Sequence, residues 1–166
     1  MRATTYLPRF LGDRLRRLWV DSLPSNPLSA IGAPSIEVFI PTAGKDFDVL
    51  QACVSALEVF CQNPISKITI SSPSPLLVAI NSRYPVVYVS DGDVLTEILV
   101  DALEKSKADD RNIVNPGWVR QQVLKIKYAL DSSCEEGVLV IDSDTMLSNP
   151  RTFVDSNDVQ ILIVGY

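Results

Sequence analysis

Residues 138–147 read VLVIDSDTML, and the fold class turns on them. Val138 to Ile141 form an unbroken apolar run. That is the signature of a strand covered on both faces in a parallel sheet, where the polar alternation of a surface strand disappears. Asp142 and Asp144 then arrive where the strand emerges. In extended chain, residues i and i+2 share a side. The pair therefore predicts two carboxylates together at the carboxyl end of a strand. Hard oxygen donors in that position can hold a divalent cation and the phosphates it neutralises.

Working outward, strand and helix periodicities alternate. IEVFI at 36–40 reads as a strand stopped by Pro41, and Asp46 as the cap of a helix to about Cys61 with Val49, Leu50, Cys53, Leu57 and Phe60 on one face. KITIS at 67–71 and VVYVS at 86–90 read as further strands, separated by a loop with a short helix. Asp91-Gly92-Asp93 reads as a turn leading into a helix that runs to about Lys105. It is a cap first and a second acidic site only as the alternative. Residues 106–115 form a polar loop. Pro116 opens a helix to about Leu130, strand 138–142 follows, and VQILIV at 159–164 is the last strand. Strands alternating with helices predict an α/β fold: a doubly wound, mostly parallel, Rossmann-like sheet with helices on both faces.

Composition narrows the function. The chain has 166 residues, 46% hydrophobic and 21% charged, which suits one folded domain with a core. Residues 1–35 read as a basic extension and a Pro/Ser-rich linker, and 36–166 as the domain. The first 20 residues carry five arginines against Asp13, a net of +4; the remainder carries ten basic and nineteen acidic residues, a net of −9. That acidic domain excludes a nucleic-acid binder, which needs a basic patch. The basic segment, with Phe10, Leu11, Leu15, Leu18 and Trp19 near helical spacing, is either a solvated extension or a peripheral contact with an anionic membrane. No apolar run reaches membrane-spanning length and no secretory signal is visible. Cys53, Cys61 and Cys134 lack metal-ligand spacing and suit buried thiols in a reducing, cytoplasmic setting. The chain has no histidine, which excludes Ser-His-Asp and Cys-His chemistry. Carboxylates, Lys, Arg, hydroxyls and a bound metal are what remain.

Two segments carry further signals. PTAGKD after the first strand offers backbone N–H groups and a close approach for a ligand, or is a plain turn. In NPGWVRQQVLKIKYAL, Trp118, Gln121, Gln122 and Lys125 lie about one turn apart beside Arg120. Their donors can hold a sugar or a phosphate. Equally, Val119, Val123, Leu124, Ile126 and Ala129 can form a core stripe with the polar residues solvated.

Taken together and in order, IEVFIPTAGKDFDVLQACVSAL, GWVRQQVLKIKYAL and VLVIDSDTML resemble a nucleotide-sugar glycosyltransferase of GT-A fold. The nearest likeness is to an uncharacterised family of that class, with Ile-Pro then Lys-Asp, a Gly-Trp-x-x-Gln-Gln-x-x-Lys helix and a DxD strand. The resemblance covers residues 36 to 166. It implies a nucleoside-diphosphate sugar donor, Mn²⁺ or Mg²⁺, and an acceptor (glycan, lipid or protein) that it does not name. By the same resemblance Asp144 is the main metal ligand and Asp142 contacts ribose or the metal. Pro41 and Thr42 line the base, and Gln122 and Lys125, with Gln121 beside them, face the sugar or diphosphate. Many GT-A enzymes place an acidic residue after the second strand, where this chain has Ser71-Ser72. GT-A domains also usually run longer, so the resemblance implies a donor half without its acceptor half. Two rivals stand beside it. One is an inactive GT-A-like binding module. The other is a phosphatase of the haloacid dehalogenase type, which places Thr four residues after the first Asp, where this chain has Met146.

Overall fold

The computed structural model describes residues 32–74, 79–97, 99, 101 and 116–157. The basic segment, most of the linker, residues 106–115 and the strand expected at 159–164 lie outside the described residues. So does most of the helix expected to reach Lys105.

Four parallel strands form one sheet in the order β3-β2-β1-β4: β1 Ile36–Pro41, β2 Ile65–Ser72, β3 Val86–Ser90 and β4 Val138–Val140. Helix α1, Phe47–Phe60, follows β1 after a 3₁₀ turn at Gly44–Asp46. The short α2, Asp91–Val94, starts directly at the end of β3, and α3, Pro116–Asp131, precedes β4. The chain steps outward from β1 to β2 to β3, then crosses back to lay β4 on the other edge of β1. This is the expected doubly wound α/β arrangement.

All six residues of β1 are buried. Its alternation feeds two cores. Val38 and Ile40 point to the face where Leu50, Cys53, Val54 and Leu57 of α1 pack with Ile68 and Ile70 of β2. Phe39 points to the opposite face, against Leu95 and Leu124, with Val119, Val123, Tyr128, Val138 and Val140 around them. Helices therefore cover both faces.

Several local expectations shift. Pro41 closes β1 rather than stopping it. A strand end tolerates the missing N–H, and Thr42 N–H donates to Ser71 O at 2.8 Å just beyond. Asp46 occupies the cap position of α1, but its side chain makes no capping hydrogen bond; a 3₁₀ turn, with Asp46 N–H on Ala43 O at 2.9 Å, leads into the helix instead. Val54 replaces Val49 and Phe60 in the buried set of α1. In α3 the inward residues centre on Leu124, while Ile126 is 62% exposed, so the expected stripe through Ile126 and Ala129 does not form. β4 is half-buried over its three residues, because only β1 flanks it among the described residues.

Two polar hubs lock the layers. Asn63, 1% exposed, donates to Pro34 O (3.1 Å) and Val154 O (2.8 Å) and accepts from Phe153 N–H (2.7 Å) and Val154 N–H (3.3 Å). It thereby ties the segment after β4 to the approach to β1. Glu37, 2% exposed, accepts from Thr69 (3.2 Å), Ser132 (2.9 Å) and the Tyr128 hydroxyl, and pairs with Lys67 at 3.2 Å. The Tyr128 ring stacks on Phe39 with centroids 3.9 Å apart. Burial alone would raise the Glu37 pKa, but hydrogen bonds from Tyr128, Ser132 and Lys67 outweigh it and hold the carboxyl below its ordinary range. Burial, and then its hydrogen bond to the Glu37 carboxylate, push the Tyr128 hydroxyl up to about 12.

Tyr128→Phe should therefore cost about 1.5–3 kcal/mol, the worth of a hydrogen bond to a charged group, in a urea melt at neutral pH. The depressed Glu37 pKa also sets a sign. Its contribution is fully present above the ordinary carboxylate range and is lost as the pH falls through the lowered folded-state value. Wild type should lose stability in that acid window, and Glu37→Gln should lose less there while starting lower at pH 7. An identical acid limb in the two proteins would refute this role for Glu37.

Candidate functional site at the switch point of the sheet

Reversal of strand order across β1 leaves a crevice at the carboxyl ends of β1 and β4, the place where open α/β sheets bind ligands. A cavity of about 500 Å³ lies there. Pro41 and Thr42 line it from β1, Asp142, Ser143 and Asp144 from β4, and Asp91 from the end of β3. From α3 it takes Trp118, Arg120 and Gln121, and at the 3₁₀ turn Lys45 and Asp46.

The acidic pair reaches the cavity by a different local route from the one expected. The chain is not extended after β4: Thr145 N–H donates to Asp142 O at 3.0 Å, closing a turn. Ser143, 2% exposed, points inward at its centre, and both carboxylates still line the cavity. They are not equivalent. Asp142 Oδ1 receives the Lys125 ammonium at 2.6 Å and the Gln121 amide at 3.2 Å. Those two side chains sit one turn apart on α3, so a single carboxylate oxygen docks the helix to the strand end. Asp144 is exposed, and takes no hydrogen bond or ion pair among the described residues. Beneath the pair lies Cys53. Its thiol is pushed up to about 11 by burial, then by the Asp144 and Asp142 carboxylates. All three cysteines are free thiols, Cys53 buried and the other two half-buried; Cys61 is likewise held at about 11, chiefly by burial.

The structure thus gathers Pro41, Thr42, Gln121, Asp142 and Asp144 around one cavity, with Lys125 behind Asp142. Gln122 is not brought there. It stands about 100° around the helix from Gln121, because an α-helix turns by that much per residue. Trp118, 54% exposed, presents its indole on the wall, a place where a surface tryptophan meets a ligand more readily than it meets a core.

One cluster follows the alternative reading of the Asp-Gly-Asp segment, as an acidic group at the site. Asp91, 6% exposed, accepts from the Ser71 hydroxyl at 2.6 Å and faces Arg120 Nε at 3.6 Å. The capping role expected of the Asp-Gly-Asp segment falls instead to Ser90 and Asp93, which form a capping box: Gly92 N–H donates to Ser90 Oγ and Ser90 N–H to Asp93 Oδ2, both at 3.1 Å. Asp91 is thereby released to the cavity wall. A carboxylate stands beside Ser71 after all, supplied from β3 rather than β2. The sequence signal was the serine before Asp91, which leaves the first acid of the motif free of capping.

As a metal centre the donor set is sparse. Among the described residues no three Cys, Asp or Glu side chains converge. Asp144 and the second oxygen of Asp142 are hard donors of the type Mn²⁺ and Mg²⁺ take, and such ions ordinarily complete their shell with water and substrate phosphate. The residues present fit an ion held jointly with a phosphorylated ligand. Among the described residues, no helix is long and apolar enough to cross a membrane. No family model, no curated protein and no solved structure matches this chain.

The two acids of the Asp-Gly-Asp segment should separate by mutation. Asp93→Ala removes half a capping box and should cost about 1 kcal/mol. Asp91→Ala strands a hydroxyl and a guanidinium in a mostly buried place and should cost about 1–3 kcal/mol. Equal denaturation midpoints for the two variants would argue that Asp91 is only a turn residue.

Proposed function

We propose that the cavity binds a nucleoside-diphosphate sugar together with Mn²⁺ or Mg²⁺, and that the chain is a GT-A-like glycosyltransferase whose acceptor is a glycan, lipid or protein. The observation that carries this reading is the delivery of Asp142 and Asp144 to the crevice at the carboxyl ends of β1 and β4. The charge of the lining supports it. Asp46, Asp91, Asp142 and Asp144 face Lys45 and Arg120, with Lys125 behind Asp142, so one carboxylate, Asp144, is left over. A bare diphosphate is repelled by such a wall, whereas a diphosphate carrying a divalent cation is not. Bound there, the cation neutralises charge on the diphosphate leaving group. The chain's own residues do the rest. Asp144 offers an unengaged carboxylate, and Trp118 offers a flat face on which a base or sugar ring can stack. Asp142, pinned by Gln121 and Lys125, keeps the mouth of the cavity in shape. The basic residues 1–20 extend the proposal to peripheral contact with an anionic membrane.

Isothermal calorimetry with uridine and guanosine diphosphates tests it. Mn²⁺ should tighten binding of at least one of them by about tenfold or more, and Asp144→Ala should abolish that gain while shifting thermal stability little, as for most exposed substitutions. Trp118 fluorescence, read in a Trp19→Phe background, should respond to the same titration. Equal nucleotide binding with and without metal would count against the proposal. Metal-dependent binding with neither transfer nor donor hydrolysis would favour a binding module over an enzyme.

A further inference from the structure

The two carboxylates of the acidic pair differ in what already occupies them. Lys125 is 15% exposed along its side chain, and its ammonium lies 2.6 Å from Asp142 Oδ1. The Gln121 amide takes the same oxygen. Asp144 is exposed, with no hydrogen bond or ion pair among the described residues. A cation therefore already sits where a chelated ion would need negative charge.

We propose that Lys125 is the resident cation of the Asp142–Asp144 pair. In the metal-free protein its ammonium holds Asp142 Oδ1, so that a divalent ion docking on Asp144 and the second oxygen of Asp142 meets a positive charge at contact distance and gains the whole carboxylate only by displacing the ammonium. This rests on the reading of the cavity as a site for a divalent ion and a diphosphate. Metal arriving alone must compete with an ion pair whose lysine side chain is 15% exposed and whose carboxylate is 43% exposed, a cation already at contact distance. A diphosphate arriving with the metal supplies the released ammonium with a new anion. Metal and diphosphate therefore help each other to bind, and by linkage the factor is the same in both directions. Lys125 is in this sense a positioning and specificity residue. It makes the site a poor chelator of free metal and a good receptor for metal already bound to phosphate.

The test needs no nucleotide. Free Mn²⁺ is followed by electron paramagnetic resonance while it is titrated into wild type, Lys125→Met, Lys125→Gln and Asp144→Asn, with melting curves for each. Lys125→Met keeps the aliphatic stem and removes the charge; Lys125→Gln keeps a donor. Both should bind Mn²⁺ about tenfold or more tighter than wild type, since a competing charge at contact distance is gone. Asp144→Asn should bind it more weakly than wild type. Inorganic pyrophosphate should tighten Mn²⁺ binding by a larger factor in wild type than in Lys125→Met. Mn²⁺ binding that is unchanged or weaker in both lysine variants, or loss of the fold in both, overturns the proposal. Failure of nucleoside diphosphates to bind, with these Mn²⁺ results intact, would instead strike the functional reading alone.

Discussion

Burial of β1 on both faces and both edges is the constraint from which the rest of the molecule follows. A strand so enclosed must send alternate side chains into two separate cores, and β1 does so, with Val38 and Ile40 toward α1 and Phe39 toward α3. Its two neighbours both follow it in the chain, β2 after one crossover and β4 after the chain has crossed back to the other edge. The helices that precede these strands, α1 and α3, then lie on opposite faces. The space between them, above the carboxyl ends of β1 and β4, is the cavity.

Glu37 shows how a strand this buried tolerates a carboxylate. The side-chain alternation that puts Phe39 under α3 puts Glu37 there too, two residues earlier. The charge is held by donors from three elements: Thr69 on β2, Tyr128 on α3, and Ser132 just beyond it, with Lys67 across the strand pair. The bonds from Tyr128 and Ser132 join the C-terminal end of α3 to the sheet at the end opposite the cavity, and those from Thr69 and Lys67 tie β2 to β1. At the cavity end the same helix is joined to the sheet by Gln121 and Lys125 on Asp142. α3 is thus fastened at both ends by buried or half-buried charge, with Leu124 and Phe39 packed between. Its polar residues are fasteners as much as ligands, which explains a helix too polar for a core and too ordered in its partners for a surface.

That double use bears on the acidic pair. A motif of two carboxylates one residue apart suggests symmetric donors. In the folded chain both line the cavity, but one also completes the helix dock while the other is exposed. This difference follows from their neighbours, not from their spacing. Likewise the neighbouring glutamines part ways: Gln121 faces Asp142, and Gln122 turns aside because successive residues of a helix cannot share a face.

Much of this was legible in the chain as written. The order of strands and helices, the parallel class, the helix opened by Pro116 and the arrival of the acidic pair at a strand end all follow from local periodicity, and periodicity is set by bonds between near neighbours. Lateral placement is another matter. That Asp91 would meet Ser71, 20 residues away, or that Asn63 would bind the backbone at Val154, 91 residues away, depends on strand order and crossover path. No local pattern encodes these. The same holds for the ammonium of Lys125 on Asp142 and for the outward turn of Ile126. Charge and hydropathy say which side chains seek a partner or a core. Which partner they find is settled only when the sheet is assembled and helices are laid across it, because contact distance, unlike periodicity, is a property of the whole chain.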